Sequence, residues 1–245
     1  MDNKILFDLN KLGKIEKGIF IKRLNRFVGV CKVNNKLKTM HIADTGRLTE
    51  IFIPNREVLL IKNRAELKTD YKLIGVWSDL NYWILVNTSL HSKIVKKAIE
   101  YGLLGFIPEK IKPEIKINNH SRLDFLVNNN IYVEVKGCNL LVFKDNLKIG
   151  LFPDAPTVRG KKHIEELIIL SKENNKSIIL ILGLHDFNCF SPNFKMDNNF
   201  SLEFINALKN GVEYIGFKIK IDKNYNVVYN GKLELCNNVK KLIEN

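Results

Sequence analysis

Apolar and polar residues alternate on both sides of a polar triplet near the middle of the chain. Ser121-Arg122-Leu123-Asp124-Phe125-Leu126-Val127 and Ile131-Tyr132-Val133-Glu134-Val135-Lys136 each carry the period of two expected of a strand, and Asn128-Asn129-Asn130 supplies the turn between them. A turn symmetric about Asn129 makes Asp124 the cross-strand partner of Glu134. Like charges placed opposite one another on a sheet repel. A hard cation held by the two carboxylates offsets that repulsion, and magnesium suits such oxygens. Lys136 lies two residues beyond Glu134, on the same face.

The same patterning organises the rest of the chain. From Gly18 to Val86 the sequence predicts short strands and turns: a long strand over Gly18–Val33, a turn at Asn34-Asn35, a return strand over Leu37–Ile42, and further strands at Glu57–Ile61, Tyr71–Trp77 and Tyr82–Val86. About five strands in this span suit a small barrel, either an OB-fold or an SH3-like one. His91–Leu103 predicts an amphipathic helix, with Ile94, Val95, Ala98 and Ile99 on one side. Strands at Glu114–Ile117, Arg122–Val127 and Ile131–Lys136 follow, and then a hairpin over Leu140–Leu151. Thr157 is a candidate cap for the next helix. The apolar run Ile178–Leu184 reads as a buried central strand, too short to cross a membrane. Helix Leu202–Asn210, strand Val212–Ile221 and a terminal segment Leu233–Glu244 complete the series. The order predicts an α/β two-domain protein: an OB-like barrel over residues 1–88, then an α/β domain with a mixed sheet over 89–245.

Charge narrows the class of partner. The chain has 39 Lys and Arg against 26 Asp and Glu, a formal net charge of +13. A polyanion such as nucleic acid suits that sign, although a solvated lysine-rich surface would carry the same count. Lys22, Arg23 and Arg26 crowd together in the more basic N-terminal part, with Arg47 nearby. The four cysteines, Cys31, Cys138, Cys189 and Cys236, are far apart and form no Cys-x-x-Cys pair, so a zinc site is not expected. Charges interrupt Met1–Lys17, unlike a signal peptide. These features predict a reducing, cytoplasmic setting with no membrane partner.

Asp124, Glu134 and Lys136 are the candidate catalytic residues. Phosphodiester hydrolysis needs an activated water and neutralised phosphoryl charge, which carboxylate-held Mg²⁺ supplies and a lysine assists. The alternative is a solvated hairpin face with an ordinary Glu–Lys pair. Glu114 joins Asp124 and Glu134 in an acidic row if the turn before Ser121 is centred on Asn119, and so is a further candidate metal ligand. A one-residue slip would reverse its face. Past Asp154 and Thr157, Arg159, Lys162 and His163 sit at the start of a helix whose free N–H groups suit a phosphate. Solvent-facing basic residues on a capped helix would read the same way. Asp44-Thr45-Gly46-Arg47 and Asn87-Thr88 are polar breaks between apolar strands.

Taken together, these segments resemble the sugar fermentation stimulation protein A family. The matching pieces are Arg26-Phe27, Asp44-Thr45-Gly46, Val86-Asn87-Thr88, Ser121-Arg122-Leu123-Asp124-Phe125, Tyr132-Val133-Glu134-Val135-Lys136 and the run Phe152–His163, with Phe190-Ser191-Pro192 and Gly211-Val212-Glu213 beyond. The resemblance implies an OB-like domain followed by a domain similar to the PD-(D/E)xK nucleases, and DNA as partner. It maps the nuclease motif onto Asp124, Glu134 and Lys136, with Asp154 and Arg159 in the family's own signature. Leu123 stands where the nuclease motif has proline, and Asp44 where the family often has asparagine. The expected cofactor is Mg²⁺, with Mn²⁺ as a substitute and no small organic cofactor. The expected function is metal-dependent cleavage of DNA. The alternative is a DNA-binding regulator of sugar-metabolism genes on a nuclease fold that no longer cuts. The subunit number is open, a homodimer being one option.

Overall fold

The computed structural model describes residues 4–44, 46–64, 66–118, 121–173 and 175–244. Strand β1 (Ile5–Asp8) comes first, then a 3-10 helix over Leu9–Leu12. Five strands build a closed ring: β2 (Ile15–Arg23), β3 (Val28–Val33), β4 (Lys36–His41), β5 (Glu57–Lys62) and β6 (Tyr71–Trp77), with β7 (Trp83–Leu85) added beside β6. The ring closes where β4 meets β6 in parallel, at Met40↔Tyr71 and His41↔Lys72. Phe20, Cys31, Met40, Leu60, Leu73 and Val76 fill its interior. Asn34 and Asn35 both have positive φ, 47° and 63°, as the tight turn between β3 and β4 requires.

Gly18–Val33 is not one long strand but an antiparallel pair, because the exposed segment Leu24–Phe27 turns the chain back. Asn25 makes that turn, its Oδ1 accepting the N–H groups of Phe27 and Val28 at 2.8 and 3.0 Å.

After a short 3-10 turn at Thr88–Leu90, α1 (His91–Glu100) leads into strands β8 (Ile111–Asn118), β9 (Ser121–Val127) and β10 (Ile131–Cys138). A hairpin of β11 (Leu140–Lys144) and β12 (Leu147–Phe152) precedes α2 (Val158–Lys172). The chain then passes through β13 (Lys176–Gly183), β14 (Cys189–Pro192), α3 (Asn198–Lys209), β15 (Glu213–Ile221), β16 (Asn226–Lys232) and α4 (Asn237–Glu244). The main sheet has the order β1-β16-β15-β13-β10-β9-β8. Its centre, β10, β13 and β15, is parallel and its flanks are antiparallel. From Ser177 to Gly183 every residue of β13 is buried, which explains its unbroken apolar run. Helix α1 packs in one core, and α2 and α3 pack in a second on the other side. No described helix is long and apolar enough to cross a membrane.

Three further features were not legible in the sequence. Strand β1 pairs with β16, so the N-terminal strand lies in the α/β sheet rather than in the ring. Leu59, Ile61, Ile74 and Leu85 of the ring share one core with α1 and the main sheet. Cys189 and Cys236, 47 residues apart, form a disulfide, which differs from the reading of a reducing setting. The parallel bridge Phe190↔Leu235 brings the two cysteines together. Leu9 lies at 0% exposure in the shared core. Leu9→Ala is therefore expected to cost about 2–5 kcal/mol in a urea unfolding experiment, despite its place near the chain start.

Candidate metal and phosphate site

The β9–β10 hairpin has the expected register. Ile131↔Val127, Tyr132↔Leu126 and Val133↔Phe125 are paired, and Asn128 and Asn129 take the positive φ values of the turn. The ladder stops one step before Asp124 and Glu134. There Asp124 Oδ2 accepts the Val135 backbone N–H at 2.7 Å, so a side chain replaces the next strand bond.

Glu134 is 3% exposed, and a buried carboxylate must be paired. Lys136 Nζ donates to its Oε1 at 2.6 Å, and the Lys136 side chain is itself only 11% exposed. His163, from the first turns of α2, meets the same oxygen through Nδ1. Arg159 Nε donates to His163 Nε2 at 3.4 Å. An arginine nitrogen can only donate, so His163 accepts at Nε2 and carries its proton on Nδ1, facing Glu134. Burial pushes the Glu134 carboxyl up, but Lys136 and His163 outweigh it and hold the group below its ordinary value. Asp124 goes the other way. Burial and the Glu134 charge raise it to about 6, against the Val135 N–H, Lys136 and His163. The two acids thus divide into one firmly ionised carboxylate and one near its titration point.

Among the described residues no three His, Cys, Asp or Glu side chains gather as a metal centre. The donor chemistry of the pair nevertheless fits a hard divalent ion. Glu134 Oε2 is buried without a hydrogen-bond partner, beside a second carboxylate that repels it.

The other candidates stand in different positions. Glu114 is not brought to the pair: it adopts φ +52°, its side chain is 77% exposed, and Arg122 Nη1 lies 3.6 Å from its Oε2. The β8–β9 ladder keeps the expected register on either side, at Pro113↔Phe125 and Ile115↔Leu123, but the positive φ turns Glu114 out of the acidic row. Asn119 and His120, on which that turn was centred, lie outside the described residues, as does Thr45. Arg23 is not directed at a partner. Its guanidinium donates to the carbonyls of Asn25, Arg26, Asp44, Gly46 and Arg47 and lies over the Phe52 ring. Lys22, Arg26, Arg47, Arg159 and Lys162 are exposed, whereas His163 is buried and acts through Glu134. Thr157 caps α2, accepting from Gly160 N–H at 3.0 Å.

Two features were missed. Glu166, one turn beyond His163 on α2, is buried and accepts from Ser121 Oγ and Asn118 Nδ2. Its spacing of three from His163 was the available signal. Asn139 Nδ2 donates to Asp44 Oδ2 at 2.8 Å across the domain seam, and Thr88 Oγ1 donates to the Ala43 carbonyl at 3.0 Å. Burial, and Asp154 nearby, raise the Asp44 carboxyl above its ordinary value.

The fold and site define a two-domain protein in which an OB unit is joined to a mixed-sheet α/β unit carrying a buried carboxylate–lysine–histidine cluster. The N-terminal OB domain of SfsA matches residues 21–86, and the sugar fermentation stimulation protein RE domain matches residues 89–225. The chain belongs to the sugar fermentation stimulation protein A family. A homolog from Sulfolobus acidocaldarius is 40% identical over 216 residues, covering 88% of this chain and 87% of that protein. One from Methanosphaera stadtmanae is 41% identical over 224 residues, covering 86% and 90%. The solved structure of Pyrococcus furiosus SfsA in complex with Ca²⁺ is 30% identical, with a TM-score of 0.82 over 95% of this chain and 99% of that one.

The raised Asp124 carboxyl yields a signed expectation. Between its ordinary value and about 6 the folded state holds a proton that the unfolded state has released, so stability falls as pH rises through that window. Asp124→Asn keeps an acceptor for Val135 N–H and removes the repulsion. Without added metal it is expected to stabilise the protein at pH 8 by about 1–3 kcal/mol, with the gain fading by pH 4 in thermal melts.

Proposed function

We propose that the protein is a divalent-metal-dependent phosphodiesterase acting on DNA, centred on Asp124, Glu134 and Lys136. The observation that carries this reading is the buried, partnerless Glu134 Oε2 beside Asp124. Asp124 and Glu134 would hold Mg²⁺ or Mn²⁺, which supplies charge neutralisation at phosphate and acidifies a bound water. The Pyrococcus furiosus relative was solved with Ca²⁺, another ion that prefers oxygen ligands, and this supports divalent binding here.

The remaining work falls to side chains of this chain. Lys136, held at 2.6 Å from Glu134, presents an ammonium where charge develops on a phosphate oxygen. His163 fixes the Glu134 rotamer, and Arg159 fixes the His163 tautomer. Exposed Arg159 and Lys162 flank the free N–H groups at the start of α2 and contact the DNA backbone there. Lys22, Arg26 and Arg47, exposed on the OB unit, would add further phosphate contacts there.

One observation favours a second reading, a DNA-binding protein that does not cut. Glu134 Oε1 already takes both Lys136 and His163, an internal ion cluster that needs no metal. End-labelled single- and double-stranded DNA, incubated with Mg²⁺ or with EDTA, separates the two readings. Wild type is expected to cut only with Mg²⁺, and Glu134→Ala to lose at least about a hundredfold in rate while still retaining DNA. Retained binding without cutting by either protein would select the second reading. If cutting occurs, its rate is expected to fall as pH drops below about 6, where Asp124 takes up its proton.

Arg159→Ala tests the clamp separately. Loss of one phosphate contact is expected to lower the dependence of log Kd on log salt by about 0.9 for duplex DNA, read from filter binding at several salt concentrations. An unchanged salt slope would remove Arg159 from the interface.

A further inference from the structure

A cavity of about 420 Å³ lies in the seam between the two domains and includes none of Asp124, Glu134 or Lys136 in its lining. Asp44 and Thr88 line it from the OB side, and His91, Asn139 and Asp154 from the α/β side. Two carboxylates meet there. A Cβ on Gly46 would overlap Asp154 Oδ2 and stand 3.1 Å from Asp44 Oδ1, so the missing side chain is what lets the two acids approach. Asp44 is 9% exposed. Arg23, the basic residue that Asp44 feels most strongly, directs its N–H groups to backbone carbonyls and not to the carboxylate. No ion pair to Asp44 or Asp154 is present among the described residues.

Asn139 supplies an independent observation. It is 7% exposed, and its Nδ2 is fixed on Asp44 Oδ2 at 2.8 Å. Its Oδ1 is buried and has no hydrogen-bond partner. The two ends of an amide are close neighbours, so this unsatisfied acceptor stands beside the Asp44 carboxylate. Arg26 and His91 also line the cavity, and Asp44 Oδ1 accepts the Gly46 N–H at 2.9 Å, but two carboxylates and an amide carbonyl with no spare donor among them suit a hard cation. We propose that the seam binds a second divalent cation of the magnesium–calcium class, held by Asp44, Asp154 and Asn139 Oδ1, which ties the OB unit to the α/β unit. The ion is distinct from any held by Asp124 and Glu134, and its binding does not depend on whether the protein cuts DNA.

Calcium titrated calorimetrically into metal-free full-length protein tests this, using wild type, Glu134→Gln, Asp154→Asn and the double variant. Glu134→Gln is expected to retain one bound Ca²⁺. Adding Asp154→Asn is expected to weaken that binding by at least about tenfold, with circular dichroism unchanged. Thermal melts give a second measure: Ca²⁺ raises the melting temperature of Glu134→Gln but not that of the double variant. The proposal is overturned if Glu134→Gln binds no Ca²⁺, or if the double variant binds it as tightly as Glu134→Gln. A single ion lost with Glu134→Gln and kept by Asp154→Asn would leave the Asp124–Glu134 centre standing and remove the seam site.

Discussion

A carboxylate buried in the centre of a sheet must be compensated, and Glu134 imposes that demand on everything around it. At 3% exposure it has lost its hydration, so opposite charge and hydrogen-bond donors must come from the protein. Lys136 supplies a cation from the same strand, two residues on. His163 supplies a donor from α2, which fixes how far that helix can slide along the sheet. Asp124, forced close to a like charge, is held by the Val135 N–H and remains the weaker acid. The arrangement of β9, β10 and α2 is in this sense the answer to one electrostatic problem.

Much of this was legible because local rules and long-range packing agreed. The Asn triplet fixed the register of β9 against β10, and alternation then fixed which side chains share a face. The apolar run through Ile178–Leu182 identified a strand covered on both sides. The failures arise where distant chain segments decide. Nothing near Ile5–Asp8 reveals that its partner is β16, more than two hundred residues away. Cys189 and Cys236 meet only because β14 is bridged at Leu235. Glu114 was misplaced for a local reason: a non-glycine residue at φ +52° breaks the alternation from which its face was inferred. Arg23 was misread because a basic side chain counts as exposed charge until its donors are found on five carbonyls of neighbouring loops.

Polar segments that looked like isolated turns in the sequence converge on the domain seam. Asp44 reaches Asn139, Thr88 reaches Ala43, and the His91 ring lies over the bare Cα of Gly137. The members of each pair belong to different elements or to the loops just beyond them, so the periodicity within one element says nothing about their meeting. A side chain at position 46 would crowd Asp154 Oδ2 and force that carboxylate to shift away from Asp44.

The shared apolar core between the ring and the main sheet has a mechanical consequence. Leu59, Ile61, Ile74 and Leu85 lie in the same packed interior as α1, β10 and β13, so the two units cannot pivot like beads on a tether. Whatever lies across both meets two surfaces held at a fixed spacing, so it is chosen by its shape and not gripped by a closing jaw. The rigidity that makes the fold hard to divide is what turns two modest surfaces into a single gauge.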